Sequence, residues 1–386
     1  TDHGGRTSHA AIVAREMGVP AILGTGNATE VLQSGQPVTL ACAQRDTGTV
    51  HEGHAKIESN ALKLDSIPPT RTKVMLNLTN PAAAFSWHSL PSDGVGLARL
   101  EFILANTIAI HPMAALYPDR IGSMRARKQI EKLATGFESP AEYFLDCLAH
   151  ALAQLAASVF PKRVIVRTSD FKSNEYAGLV GGKDFEGEEA NPMIGWRGAS
   201  RYYSEEFREA FDLECAAIAH ARGVIGLDNI DVMIPFCRTL NEADRVLEIL
   251  ADNGLNRGES GLRTLVMCEL PSNVVLAKRF AQRFDGLSIG SNDLTQLTLG
   301  IDRDSENLAH IFEEDDPAVR WMIRHAIEEC HSAGSSIGLC GEAPSKDPAF
   351  AEFLVECGID TISVSPESFI DVKSHVAKAE TGLRSN

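Results

Sequence analysis

Short apolar runs rich in β-branched residues recur along most of the chain, separated by longer stretches with helical spacing. Eight stand out: Lys73–Leu78, Gly94–Ala98, Arg163–Arg167, Ile230–Pro235, Thr264–Glu269, Gly286–Gly290, Ser336–Cys340 and Thr361–Val364. The stretches between them are long enough for crossover helices, so the pattern predicts an α/β fold, a (β/α)8 barrel of the TIM type. The second and third runs are followed by unusually long gaps, 99–162 and 168–229, which predict helical insertions. Ahead of these runs, residues 1 to about 55 alternate brief apolar segments such as Val19–Gly24 and Pro37–Leu40 with turns, which predicts a small, partial α/β unit. Ser66-Ile67-Pro68-Pro69-Thr70-Arg71 has the breaker chemistry of a linker. The expected division is a small unit over 1–60, a linker over 61–72 and the barrel over 73–386.

Each apolar run finishes on polar or reactive residues: Asn77, Arg99 with Glu101, Arg167, Arg238, Glu269, Asn292 with Asp293, Cys340 and Ser365. In a barrel all of these ends face one mouth, where active sites are built. Glu269 and Asp293 end adjacent strands and have no His or Cys ligand nearby in sequence, a pairing that suits a hard ion such as Mg²⁺. The plainer reading of Asp293 is an N-cap for the helix that follows. Arg99, Arg167 and Arg197 offer guanidinium forks for a small dianion. Taken singly, each is more often a solvated or ion-paired arginine. Cys340 lies between Leu339 and Gly341 at a strand end, where a thiol can move a proton; an ordinary core cysteine is the alternative.

Gly4-Gly5-Arg6-Thr7-Ser8-His9 leads into the helix-like run Ala10–Glu16, which stops at Gly18 with Pro20 beyond. Thr7 and Ser8 are cap residues, and His9 falls at a helix N-terminus that favours an anion. A histidine there is well set to receive and pass on a phosphoryl group. A glycine turn with a surface histidine is the bland alternative.

The 386 residues carry a net charge of −16, which argues against nucleic acid or an anionic membrane as partner. No apolar run approaches the ~20 residues of a bilayer span and no signal peptide opens the chain. The eight cysteines form no CxxC pair, and they read as thiols of a reducing cytoplasm. No GxxxxGK[ST] or complete GxGxxG occurs, so the chain has no recognisable ATP loop. A start at Thr1, close to the glycine turn, suggests a piece of something longer.

Six separated motifs bring these features into one pattern. The run Gly4–Arg15 resembles the phosphohistidine segment of the phosphoenolpyruvate-utilising enzymes. Gly94–Glu101, Asn191–Gly198, Gly290–Gln296 and Gly338–Glu342 resemble their pyruvate/phosphoenolpyruvate-binding barrel. Val166–Tyr176 and Asn191–Arg201 look most like the phosphoenolpyruvate synthases (pyruvate, water dikinases) within that family. The resemblance implies that phosphoenolpyruvate is made from pyruvate, ATP and water, with AMP and phosphate released, through a phosphohistidine at His9. It implies substrate binding by Arg99, Arg167 and Arg197 in a pocket lined by Gly290, Ser291 and Asn292. Mg²⁺ would be held by Glu269 and Asp293, with Cys340 exchanging a proton on the methyl carbon of pyruvate. Thr7 matches a regulatory phosphorylation site. The family's nucleotide-binding domain, which would take ATP, is absent from this chain, and a homodimer is expected. Two alternatives are a pyruvate, phosphate dikinase, which differs in that absent half, and a protein phosphocarrier of the sugar phosphotransferase type, which Ala10–Val13 and Arg167–Tyr176 fit less well.

Overall fold

The computed structural model describes residues 1–4, 14, 19–42, 48–56, 67–302 and 308–384. The chain forms two compact units, Thr1–Ser66 and Ile67–Asn386. His9 and Thr7 lie outside the described residues.

The first unit contains an antiparallel pair, β1 (Val38–Ala41) and β2 (Thr49–Glu52), and one short helix, Ala28–Val31. Asp2 ties its N-terminal residues to the start of that helix, accepting the Thr29 backbone N–H at 3.1 Å. None of its described residues is fully buried, and Val31, Leu40 and Val50 are exposed.

The second unit is the barrel. Its strands are β3 (Lys73–Leu78), β4 (Val95–Arg99), β5 (Val164–Arg167), β6 (Ile230–Ile234), β7 (Thr264–Cys268), β8 (Gly286–Ile289), β9 (Ser336–Leu339) and β10 (Thr361–Val364). All run parallel in sequence order, and β10 closes the ring against β3. The eight apolar runs are these eight strands. Their side chains are buried on both faces, since helices cover the outside and other strands fill the inside.

Met75, Leu97, Ile165, Met233, Leu265, Met267 and Cys340 pack together as a small cluster within the barrel, separate from the main core between strands and helices. Small residues make room for this closure. A Cβ on Gly96 would fall 1.7 Å from Ser363 Oγ and 2.8 Å from Ser363 Cβ. Gly96→Ala is therefore expected to destabilise the barrel by ~1–3 kcal/mol, the usual cost of overpacking. In thermal denaturation that is a drop of roughly 2–10 °C. Gly178→Ala, where a Cβ meets open space, is the control and should leave the melting temperature nearly unchanged.

Both long gaps carry helices. The first includes Met124–Leu133 and Pro140–Val159, each started by a serine whose side chain caps the first turn. The second ends in the helix Arg208–Gly223, which packs on Pro140–Val159. The insertions are also joined by a backbone bridge between Ile110 and Val180 and by a buried polar knot. In that knot Glu186 accepts both Nη atoms of Arg201 at 2.8 Å, and His111 Nε2 lies 3.2 Å from Glu186 Oε1. Arg201 is also stacked 3.9 Å over Trp196, so the loop preceding it is fixed from beneath.

Candidate active site

Every barrel strand gives way to a turn at the same end, and the side chains on those turns converge. Arg99 and Arg167 close β4 and β5 and stand side by side in the ladder. Glu101, one turn further on, accepts Arg167 Nη2 at 2.8 Å and the Asp170 backbone N–H at 2.6 Å through the same oxygen. Asp170 in turn receives both edges of Arg197, Nε at 3.0 Å and Nη2 at 2.5 Å. Arg197 reaches on to Asp293 Oδ1 at 3.3 Å, with its guanidinium 4.1 Å over the Phe236 ring. Phe236 has a left-handed backbone, φ 46°, and its N–H donates to Glu269 Oε1 at 2.7 Å. Charged groups from the ends of β4, β5, β7 and β8 thus form one connected network.

The network sets the charge on each member. Burial opposes the charge on Arg167, but Glu101 and Asp170 outweigh it and hold the guanidinium above its ordinary range. Arg197 is held up in the same way by Asp170 and Asp293. Asp170 stays ionised despite burial because Arg197 and Arg167 face it. Glu269 goes the other way: burial, Asp293 and Asp170 push its carboxyl up to about 8. Its Oε2 is buried and has no hydrogen-bond partner among the described residues.

Arg99 makes no hydrogen bond or ion pair among the described residues, and its Nε is buried. Burial and the adjacent Arg167 lower its affinity for the proton, against the opposing pull of Glu101. Cys340 is buried on the interior cluster, its Sγ 3.9 Å from Met267 Sδ and 3.7 Å from the Ile289 carbonyl oxygen. Burial raises its thiol, while Ser288, Arg167 and Arg99 pull it back down.

Gly290 precedes the helix Ser291–Leu299, and a Cβ on it would fall 2.7 Å from Glu269 Oε2. Ser291 is buried and donates its hydroxyl to Glu314, and Asn292 follows it half-buried. Asp293 belongs to the first turn of this helix and is not its cap; Gly290 holds the cap position without a side-chain bond. Instead Asp293 pairs with Arg197. Two strand-end residues serve the scaffold: Arg238 donates to the Arg197 carbonyl and Ser200 Oγ, and Ser365 lies 2.9 Å from Ser368 Oγ. Among the described residues no three His, Cys, Asp or Glu side chains gather as a metal cage.

Three residues near the site were not singled out from the sequence: Asp170, which pairs with Arg197; Arg201, which pairs with Glu186; and Glu214, which accepts from Ser169. Glu214 alone carried a local signal, a carboxylate at helical spacing from Phe211 and Ile218 on a buried face.

Residues 54–381 match the family model for the PEP-utilising enzyme, PEP-binding domain, and residues 1–45 match that for the PEP-utilising enzyme, mobile domain. Relatives named phosphoenolpyruvate synthase include those of Synechocystis sp., 51% identical over 99% of this chain and 47% of the relative, and Pseudomonas aeruginosa, 50% over 98% and 48%. That of Escherichia coli is 47% identical over 96% and 47%. The chain spans about half the length of these relatives. Among solved structures, a HpcH/HpaI aldolase/citrate lyase family protein from Burkholderia cenocepacia is 15% identical with a TM-score of 0.42, over 82% of this chain and 94% of that one. The barrel assignment rests on strand order, not on that likeness. With family models matching along both units, the chain belongs to the phosphoenolpyruvate-utilising enzymes.

Proposed function

We propose that this chain carries the phosphohistidine and the pyruvate/phosphoenolpyruvate half of a phosphotransferase that makes phosphoenolpyruvate from pyruvate, ATP and water, releasing AMP and phosphate. ATP would be handled by a part of the protein outside this chain, in keeping with relatives twice its length that are named phosphoenolpyruvate synthase. The observation that carries the reading is Arg99. A guanidinium without a hydrogen-bond acceptor among the described residues, beside a paired arginine, two carboxylates and a buried thiol, suits a small anion that must lose or gain a proton at carbon.

In this reading Arg99 and Arg167 bind the substrate and the transferring phosphoryl group, and Arg197 joins them while holding Asp293 in place. Glu269 and Asp293 would hold Mg²⁺. The pair fits that ion: two oxygen donors on adjacent strand ends, one with a buried atom that has no hydrogen-bond partner among the described residues. When bound, Mg²⁺ would supply positive charge beside the enolate oxygen of pyruvate.

Written from phosphoenolpyruvate, a nitrogen of His9 attacks phosphorus and the bond from phosphorus to the enolate oxygen breaks. The enolate leaves with that electron pair and takes a proton at its terminal carbon from the Cys340 thiol, giving pyruvate. Arg99 and Arg167 neutralise the oxygens of the phosphoryl group in flight, which is most of what such a transfer requires. The resulting thiolate lies within the field of the same two arginines.

Incubating the chain with phosphoenolpyruvate and Mg²⁺ should phosphorylate His9, read by mass spectrometry as an acid-labile, alkali-stable modification. Equal labelling of His9→Ala, or a stable phosphoserine at Ser8, would refute the assignment.

A further inference from the structure

The turn after β5 has two sides. Arg167 and Asp170 face the mouth, whereas Thr168 and Ser169 between them are fully buried and face away from it. Beneath them lies Glu214, a fully buried carboxylate on the helix Arg208–Gly223. Both of its oxygens are engaged by one residue: Ser169 donates its backbone N–H to Oε2 at 3.2 Å and its hydroxyl to Oε1. Ser169 Oγ also lies 2.7 Å from Tyr176 OH, and Tyr202 OH donates to the Ser169 carbonyl at 2.7 Å. Tyr202 OH is in turn 2.9 Å from Thr168 Oγ1.

Among the described residues no Lys, Arg or His pairs with Glu214. The titratable groups that bear on it are Glu101, Tyr176, Tyr202 and Cys215, none of them a cation. Burial pushes its carboxyl up to about 7. A buried carboxylate without a counter-ion is a poor source of stability. Its hydrogen bonds go entirely to the residue between the two that face the mouth.

We propose that Glu214 is a positioning residue for substrate binding, acting through Ser169 to hold the turn that presents Arg167 and Asp170 to the mouth. The catalytic part of this inference rests on the function proposed above. Glu214 touches neither substrate nor the reacting atoms. Its carboxylate fixes the Ser169 peptide, and the peptide fixes the spacing between Arg167, which faces Glu101, and Asp170, which aims Arg197.

The test uses the whole chain and two measurements. Amide hydrogen exchange of the peptide spanning 164–172, without ligand, reads the order of the turn. Exchange of pyruvate methyl protons with deuterated water in the presence of Mg²⁺ reads KM and kcat separately. Glu214→Leu strands the Ser169 N–H and is expected to speed amide exchange of that peptide by about tenfold or more. It should raise KM by a similar factor with kcat changed far less, the mark of lost binding and not of lost chemistry. Glu214→Gln keeps an acceptor for the N–H and a donor for the hydroxyl, so it should restore both values to within about threefold.

Should Glu214→Leu fail to fold, Ser169→Ala removes the hydroxyl link from the other end and should move both measurements in the same direction by a smaller factor. A folded Glu214→Leu, or Ser169→Ala in its place, with unchanged amide exchange and unchanged KM would overturn the proposal, as would a fall in kcat at constant KM. A parent chain that exchanges no pyruvate protons refutes the proposed function instead, and the amide measurement still decides the role of Glu214.

Discussion

Cys340→Ala is expected to bind pyruvate and Mg²⁺ as the parent chain does, yet to lose exchange of the methyl protons by roughly 10²–10⁴-fold, the usual contribution of a positioned acid–base group. The thiol belongs to the packed barrel interior and pairs with neither an arginine nor a carboxylate, so its removal leaves the charged network intact. Burial keeps the thiol protonated while Arg167 and Arg99 lower the cost of the thiolate, the balance a reversible proton donor needs. Asp293→Ala should fail differently. It removes one of the two carboxylates proposed to hold the ion and releases Arg197 from its 3.3 Å contact, so binding and exchange should both be lost. Proton NMR of pyruvate in deuterated buffer, beside a binding titration, separates the two patterns. Undiminished exchange in Cys340→Ala would return that cysteine to the status of a core thiol.

Arg99 and Arg197 should respond in opposite ways to the same substitution. Arg99→Met removes a guanidinium that makes no hydrogen bond or ion pair among the described residues. The melting temperature should hold or rise, because no buried carboxylate is left behind. Affinity for phosphoenolpyruvate should fall by roughly 30- to 10³-fold or more, since truncating one side of a charged contact costs about 2–5 kcal/mol. Arg197→Met strands Asp170, which is buried and has only the weaker pull of Arg167, at 3.9 Å, and Arg238 to replace that contact among the described residues. Breaking a buried pair in this way costs about 3–5 kcal/mol of stability. Calorimetric titration with phosphoenolpyruvate and thermal denaturation of both variants check the contrast. Equal loss of stability in the two would mean that Arg99 has a structural partner after all.

The barrel strands were legible in the sequence almost to the residue. Lys73–Leu78 and Thr361–Val364 have the expected limits, and the other six shift by one residue at one end or both. The reason is local: a strand buried on both faces must be apolar along its whole length, and that demand is written in consecutive residues. The insertions were legible as long gaps between such runs. The carboxylates, arginines and thiol at the mouth followed from the strand ends, because parallel strands in a barrel all finish on one side.

How those residues are wired was not legible. Glu101 meets Arg167 across 66 positions, Ser169 meets Glu214 across 45, and Asp170 meets Arg197 across 27. A charged side chain carries no mark of its partner in its own neighbourhood. Asp293 shows the consequence: before Leu294-Thr295-Gln296 it reads as a helix cap, but the helix starts at Ser291 and Asp293 turns to Arg197 instead.

The sequence by itself determined the strands, their order and the chemical inventory of the mouth, because each follows from apolar periodicity or from the residue that ends a strand. Only the tertiary structure decided which arginines are paired, and which carboxylates stay charged. Those outcomes depend on distances between turns far apart in sequence, and on the burial that follows where they meet.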